Sequence, residues 1–357
     1  MKKFLIHFLV IALFIGVGCI VFSTIIYTTC KGDYYNHYEL YEPIVKQRNF
    51  EKDTGNYNTL IIGTSKTYRH VNPIQFDSIT GTRSYNLAYA GLYPFRLYDA
   101  LNHIMEFKKS DSLKNVIIEV AAMDLIQDNY NIDAYMYSLD LKKYGTAIST
   151  LSNGDFSSKV RAKGLLYYNR LLVYKYTGFG IIKYINNCLG MDEPPDLNTP
   201  ALQKYKKVAE KDRGFISLDM QFKLLGDRDD ATRAKFLKHG PAMTKHMVNI
   251  YPKQSKEAQN DAFTKYIIAS AHNLQKKGIH VYFLVPPRNI SDMAYLLNQR
   301  NVLIKNGFTV FDLSDPEKYP EFYKVENSYD IAHMNAHGAS LYTQTFADMI
   351  KPYLNKQ

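Results

Sequence analysis

Three side chains in this sequence have the types that nucleophilic acyl chemistry needs. Ser65 closes "LIIGTS", an apolar run that ends in Gly-Thr-Ser. Far along the chain, "SYDIAHMNAHG" offers Asp330 and His333, three residues apart. A serine hydroxyl becomes a strong nucleophile when a neighbouring base takes its proton. Histidine is that base when a carboxylate orients its ring and steadies the cation that forms. Asp330 and His333 can share one face of a helical turn. His337 is a second candidate, less well spaced from Asp330. Each motif also has a plainer local reading. Ser65 can cap a helix, and the histidine can sit beside a helix start capped by Asn335 or Ser340.

The elements that must position these groups can be read around them. "NTLIIG" (58–63) is short, apolar and Gly-ended, as a central parallel strand is. "GTRSYNLAYAG" (81–91) gives a second strand and loop, and "YPFRLYDALNHIMEF" a helix. "NVIIEVAAMDL" (115–125) gives a third strand. The rhythm resumes with a helix in "DAFTKYIIASAHNLQKKG", a strand in "IHVYFLVPP" (279–287) and a helix in "MAYLLNQRNVLIKNG". A fifth strand, "FTVFDLS" (308–314), and a final helix, "ASLYTQTFADMIKPYL", close the chain. Strands alternating with helices predict an α/β fold with a mostly parallel sheet of five strands. Residues 58–125 and 259–357 then form the core, and the Tyr- and Lys-rich stretch 126–258 a mainly helical insertion. Within it, "RGFISLDM" (213–220) is a candidate to return to the core.

Ligands of open parallel sheets bind at the carboxyl ends of the strands. Ser65 follows the first strand, and Asp330 and His333 follow the last, so all three are expected at one edge. The turn at Ser65 can aim free N–H groups at an incoming oxyanion, and Asn86 and Gly91 follow the second strand, where a glycine N–H can come close to a ligand. Arg69 and His70, just beyond the nucleophile, and Arg288, after "VPP", are candidate substrate-binding residues.

The N-terminus carries a separate signal. From Phe4 to Tyr27 the chain has no Asp, Glu, Lys or Arg, enough apolar length to span a bilayer as a helix. Lys2 and Lys3 favour that end in the cytoplasm. The run is long for a cleaved signal peptide and lacks an obvious small-residue cleavage site. The expectation is an uncleaved anchor in residues 1–31, a stalk in 32–57, and an extracytoplasmic body. Cys19, Cys30 and Cys188 are the three cysteines, too few for a disulfide scaffold or zinc cluster. The formal net charge is +10 but the basic residues are scattered, which argues against nucleic acid as the partner.

The set resembles the SGNH/GDSL hydrolase superfamily. More narrowly, it resembles the membrane-anchored branch acting in O-acylation of cell-surface polymers, such as the alginate O-acetylation and teichoic acid D-alanyl transfer proteins. "IIGTSKTYRHVNP" resembles the nucleophile block, "YNLAYAG" the second block, and "YDIAHMN" the final Asp-x-x-His block. The resemblance implies a three-layer fold, with Ser65 as nucleophile, Gly91 as an oxyanion donor, and Asp330 and His333 completing the triad. It implies no cofactor and no metal. The implied partners are a surface polysaccharide and a multi-pass membrane protein delivering the acyl donor. Two departures stand out. Thr64 occupies the place of the commonest Asp, and "EVAAMDL" lacks the Asn that donates to the oxyanion in simple esterases, which leaves Asn86 as the candidate replacement donor. A scaffold or polysaccharide-binding subunit that keeps the fold without the chemistry is the competing expectation.

Overall fold

The computed structural model describes residues 2–29, 57–90, 112–121, 141–153, 158–177, 200–225, 230–251, 262–288 and 293–354, with isolated positions 46, 49, 50, 52, 101, 139, 182, 185 and 189. The first described elements are α1 (Lys2–Thr29), β1 (Thr59–Ile62), α2 (Ser65–His70), α3 (Pro73–Thr80), β2 (Ser84–Asn86) and β3 (Asn115–Glu119). Next come six helices: α4 (Leu141–Asn153), α5 (Ser158–Tyr176), α6 (Pro200–Lys211), α7 (Leu218–Leu225), α8 (Asp230–Ile250) and α9 (Ala262–Lys276). The chain continues with β4 (His280–Val285), α10 (Met293–Lys305), β5 (Thr309–Asp312), two short 3-10 turns (Pro320–Tyr323 and Val325–Asn327) and α11 (Ala336–Leu354). These elements belong to two compact units, one of Met1–Tyr41 with Leu125–Leu197, the other of Glu42–Asp124 with Asn198–Gln357.

The larger unit holds a five-stranded sheet in the order β2-β1-β3-β4-β5, parallel throughout. In β1, Leu60 stands between Tyr85 and Val116, and Ile61 between Asn86 and Ile117. Successive strand side chains point to opposite faces, and both faces are apolar because both are covered. Leu60, Ile62, Val116, Ile118 and Phe283 pack with Ala271 and Leu274 of α9 and Leu296 and Leu303 of α10. Ile61, Ile117 and Leu284 pack on the other side with Phe76 of α3 and Tyr342, Phe346 and Ile350 of α11. The α/β class expected from the alternation is therefore present. The helix expected over 93–107 and the loop residue Gly91 lie outside the described residues, apart from buried Leu101.

Two expectations need correction in this unit. Three of the described residues of the expected stalk belong to the core. Phe50 and Tyr57 are buried, with their rings 5.6 and 5.1 Å from that of Tyr85. Lys46 is buried too, its ammonium 3.6 Å from the centre of the Tyr68 ring and bonded to the Ala88 carbonyl. A stretch of polar and aromatic residues looks solvated in sequence, yet tyrosine rings and a lysine stem bury well when their tips find partners. The expected insertion is also shared between the units rather than forming one body. Arg213 extends the sheet edge by accepting the Asn86 N–H and pairs with Asp77, so "RGFISLDM" does return to the core.

The smaller unit contains α1, α4 and α5. Residues Lys2–Ile26 of α1 make a helix long and apolar enough to cross a membrane. Cys19, Ser23 and Ile26, at i, i+4 and i+7, are its buried or half-buried positions, and α1 packs against α5. Helices α4 and α5 pack together, with Tyr144 donating to Asn169 at 2.8 Å and Lys175 to the Leu139 carbonyl at 2.6 Å.

Candidate active site

β1 delivers the chain to α2 through Gly63 and Thr64. Thr64 is extended (φ −84°, ψ −170°) and caps α2, its hydroxyl accepting the Lys66 N–H at 3.2 Å. The same hydroxyl donates to Glu119 Oε1 at 2.7 Å. Glu119 Oε2 accepts the N–H groups of Thr64 at 2.7 Å and Thr67 at 3.2 Å. This buried carboxylate, at the end of β3, thus gathers the donors that a helix start leaves exposed. Gly63 is required here. A Cβ would come within 2.6 Å of Thr67 Cβ and against the Glu119 carboxylate. The Thr at 64 also follows from Glu119, because a hydroxyl can donate to that carboxylate whereas an Asp would oppose it with like charge. With the N–H groups of Thr64, Lys66 and Thr67 engaged, that of Ser65 is the one in this turn without an acceptor among the described residues.

Ser65 Oγ lies 2.9 Å from His333 Nε2. His333 Nδ1 lies 3.0 Å from Asp330 Oδ2 and 3.1 Å from Oδ1. The three expected residues therefore meet in the order serine, histidine, aspartate, across 268 positions of sequence between the first two. The side chains of His333 and Asp330 are 20% and 19% exposed, so the pair is sheltered yet reachable. Burial alone would raise the Asp330 pKa. Its bond to His333, the histidine's charge and the N–H groups of Ala332 and His333 outweigh burial and bring it down to about 2. Burial lowers His333, with Arg69 and Lys66 pushing the same way and Asp330 opposing. At neutral pH the aspartate is ionised and the histidine is a neutral base, the states that proton abstraction from Ser65 requires.

The segment carrying Asp330 and His333 is not the helical turn expected. It is a tight loop closed by a Ser328–Met334 bridge, with the N–H groups of Tyr329 and Asp330 both donating to the His333 carbonyl. Asp330 Oδ1 also accepts the N–H groups of Ala332 and His333, each at 2.7 Å. That short-range turn brings the two side chains together, and α11 begins only after Asn335, which caps it through Gly338. His337 is exposed, and His333 is the histidine placed against Ser65.

Arg288 does not face substrate. It is buried and donates to the carbonyls of Phe322 and Ile331 at 3.0 Å and of Asp330 at 3.2 Å. Burial brings its pKa down to about 10, against the opposing effects of Tyr323 and Asp330, so it remains cationic at neutral pH. Its φ of +65° lies in the left-handed region that disfavours side chains. His70 is likewise a support. Its Nε2 accepts the Met334 N–H at 2.9 Å, which puts the ring proton on Nδ1. Burial, then the charges of His333, Lys66 and Arg288, hold it well below the ordinary histidine value, with Asp330 opposing. Asn86 is committed elsewhere. Its amide donates to the carbonyls of Thr67, Tyr68 and Val71 and accepts the Ala88 N–H, bracing α2 rather than offering an oxyanion contact. Arg69 is the remaining substrate-side candidate. It is 5% exposed, stacks 4.6 Å over Tyr68, and has one terminal nitrogen, Nη1, with no hydrogen-bond partner among the described residues.

Glu119 and Arg233 complete the support and carry no recognisable sequence signal. Arg233, from α8, donates to the Ser328 carbonyl at 2.7 Å and to that of Tyr329, stacking over the Tyr329 ring. Phe222, from α7, stacks on the same ring at 5.3 Å. Compared with protein-family models, curated proteins and solved structures, the chain has no match.

Proposed function

We propose that this chain is a membrane-anchored, extracytoplasmic serine O-acyltransferase or esterase of SGNH type, acting on acyl esters of cell-surface polysaccharide. The observation that carries this reading is the continuous line from Asp330 through His333 to Ser65 Oγ, at 3.0 and 2.9 Å. The apolar helix after Lys2 and Lys3 supports the anchor, with the body on the far side of the membrane.

In this mechanism His333 Nε2 takes the Ser65 proton as Oγ bonds to the acyl carbon. The carbonyl oxygen becomes an oxyanion, met by the free N–H of Ser65. The carbon–oxygen bond to the leaving alkoxide breaks, and His333 returns the proton to that oxygen. Acyl-Ser65 remains. A water or a sugar hydroxyl then loses its proton to His333 and attacks the acyl carbon, and Ser65 leaves with the proton restored. Water makes the reaction a hydrolysis and a polymer hydroxyl makes it a transfer, so the acceptor subsite sets the outcome.

A second reading is a polysaccharide-binding scaffold. It is favoured by β3 ending in a carboxylate already spent on the nucleophile turn, where simple esterases place an oxyanion-donating Asn. The deciding experiment treats the full-length protein in detergent with a serine-directed fluorophosphonate and maps the adduct. Labelling is expected on Ser65, to be lost in Ser65→Ala and reduced at least ~100-fold in rate in His333→Ala. Labelling of another serine, or unchanged labelling without His333, would overturn the catalytic reading.

A further inference from the structure

We infer that α5 lies along the surface of the bilayer that α1 crosses, held there by anionic lipid headgroups. The inference rests on the anchor reading of α1 and is independent of the chemistry at Ser65. Lys159, Ala162, Lys163, Leu166, Arg170 and Val173 are all exposed and recur at three- and four-residue spacing, which places them on one face of α5. Leu166 is 72% exposed and Val173 59%. Two aliphatic side chains standing in water between three cations match a helix that sinks its apolar side chains among headgroups while lysine and arginine stems reach up to phosphate. Neither α4 nor α5 contains an Asp or Glu.

The packing of α1 supplies the location. Its buried and half-buried positions are Cys19, Ser23 and Ile26, in the last part of the apolar run, whereas residues 2–18 are bare. That packed stretch rises about 12 Å, and a helix of the length of α5 about 28 Å. A helix of that length laid beside α1 would cover more of it than those three positions, so α5 is taken to cross the last turns of the span, near the depth where anionic lipid attracts each cation by about 1 kcal/mol.

The chain has no Trp, so one introduced Trp is a unique reporter. Full-length Leu166→Trp and Val173→Trp proteins would be reconstituted in vesicles of phosphatidylcholine and phosphatidylglycerol containing lipids brominated at shallow or deep acyl positions. Phe14→Trp reports α1. The expected result is a blue-shifted emission at both 166 and 173, quenched most by shallow bromines and more strongly as phosphatidylglycerol rises. Reversing the three cations to Glu (K159E, K163E and R170E) should abolish the phosphatidylglycerol dependence. Water-like emission at 166 and 173 with deep quenching at 14 overturns the surface contact and leaves the anchor intact. Quenching at only one of the two positions means α5 stands off the membrane, which also overturns it. A blue shift without bromine quenching assigns the face to a second protein copy instead. No dependence on phosphatidylglycerol removes the anionic headgroup. No quenching at 14 defeats the anchor and this inference together.

Discussion

The two halves of the candidate site are held by opposite chemistry. On the nucleophile side a helix begins, exposing N–H groups, and a single buried carboxylate, Glu119, collects them. On the base side an irregular loop exposes carbonyls, and two arginines collect those. Arg288 takes Phe322, Asp330 and Ile331, and Arg233 takes Ser328 and Tyr329. Helix starts leave donors unsatisfied and turned loops leave acceptors unsatisfied, so each half calls for the ion of the opposite polarity. The difference teaches that a charge beside a candidate site need not face it. Here three of them, Glu119 and Arg288 buried and Arg233 half-buried, hold the backbone around it.

The largest effect in that contrast belongs to Arg288. Arg288→Met keeps much of the volume but strands three carbonyls, and is expected to cost roughly 3–5 kcal/mol by denaturant unfolding, with a loss of labelling at Ser65 beyond that explained by unfolding. A loss under 1 kcal/mol would show that the loop holds itself. The nucleophile half is probed by Thr64→Asp, which sets a second carboxylate beside Glu119 and should destabilise by about 2 kcal/mol. Glu119→Gln in the same chain should recover most of that, because the like-charge pair is gone. A double-mutant cycle with zero coupling would sink the account of why Thr stands at 64. Arg233→Ala should be milder, about 1 kcal/mol, since it strands two carbonyls rather than three and that of half-buried Tyr329 can turn to water.

The smallest effects are electrostatic. The base must be neutral to act and its pKa lies below the ordinary 6.5 because of burial, so labelling of Ser65 should fall away only at pH below 6.5. Arg69→Met removes a positive charge that disfavours the imidazolium. The acid limb of the labelling rate should then move to higher pH, and an unmoved limb would show that Arg69 is electrostatically silent toward His333. Stability follows the same sign. His70 and His333 bind protons more readily unfolded than folded, so the unfolded chain takes up more protons as pH falls through 6.5, and stability should decline there.

Much of this was legible in sequence, and for physical reasons. The five strands announced themselves because strands covered on both faces are short apolar runs, as in Leu60–Ile62 and Val281–Val285. Ser65, Asp330 and His333 were legible because each sits just past a strand or in a compact Asp-x-x-His motif. The supports were not. Glu119, Arg233, Arg288 and Lys46 are charged, and a charged residue is ordinarily solvent-facing. What holds each of them is a set of backbone partners supplied by other segments, which no local pattern encodes. Asn86 is visible in sequence but its role is not, since an amide after a strand can brace a helix as readily as it can meet a substrate. The stalk was misjudged for the converse reason, as Phe50 and Tyr57 had to be seen against Tyr85 to be recognised as core.

The six residues of α2 begin at the nucleophile and end at His70, whose ring bonds the backbone next to the base. Ser65 and His333 are thus both referenced to one short piece, much as the jaws of a calliper share one beam. Drift of the loop relative to the sheet moves the base only as far as that shared piece allows. The separation of Ser65 and His333 is therefore set by a part about 9 Å long rather than by the summed tolerances of the 268 positions that separate them in sequence.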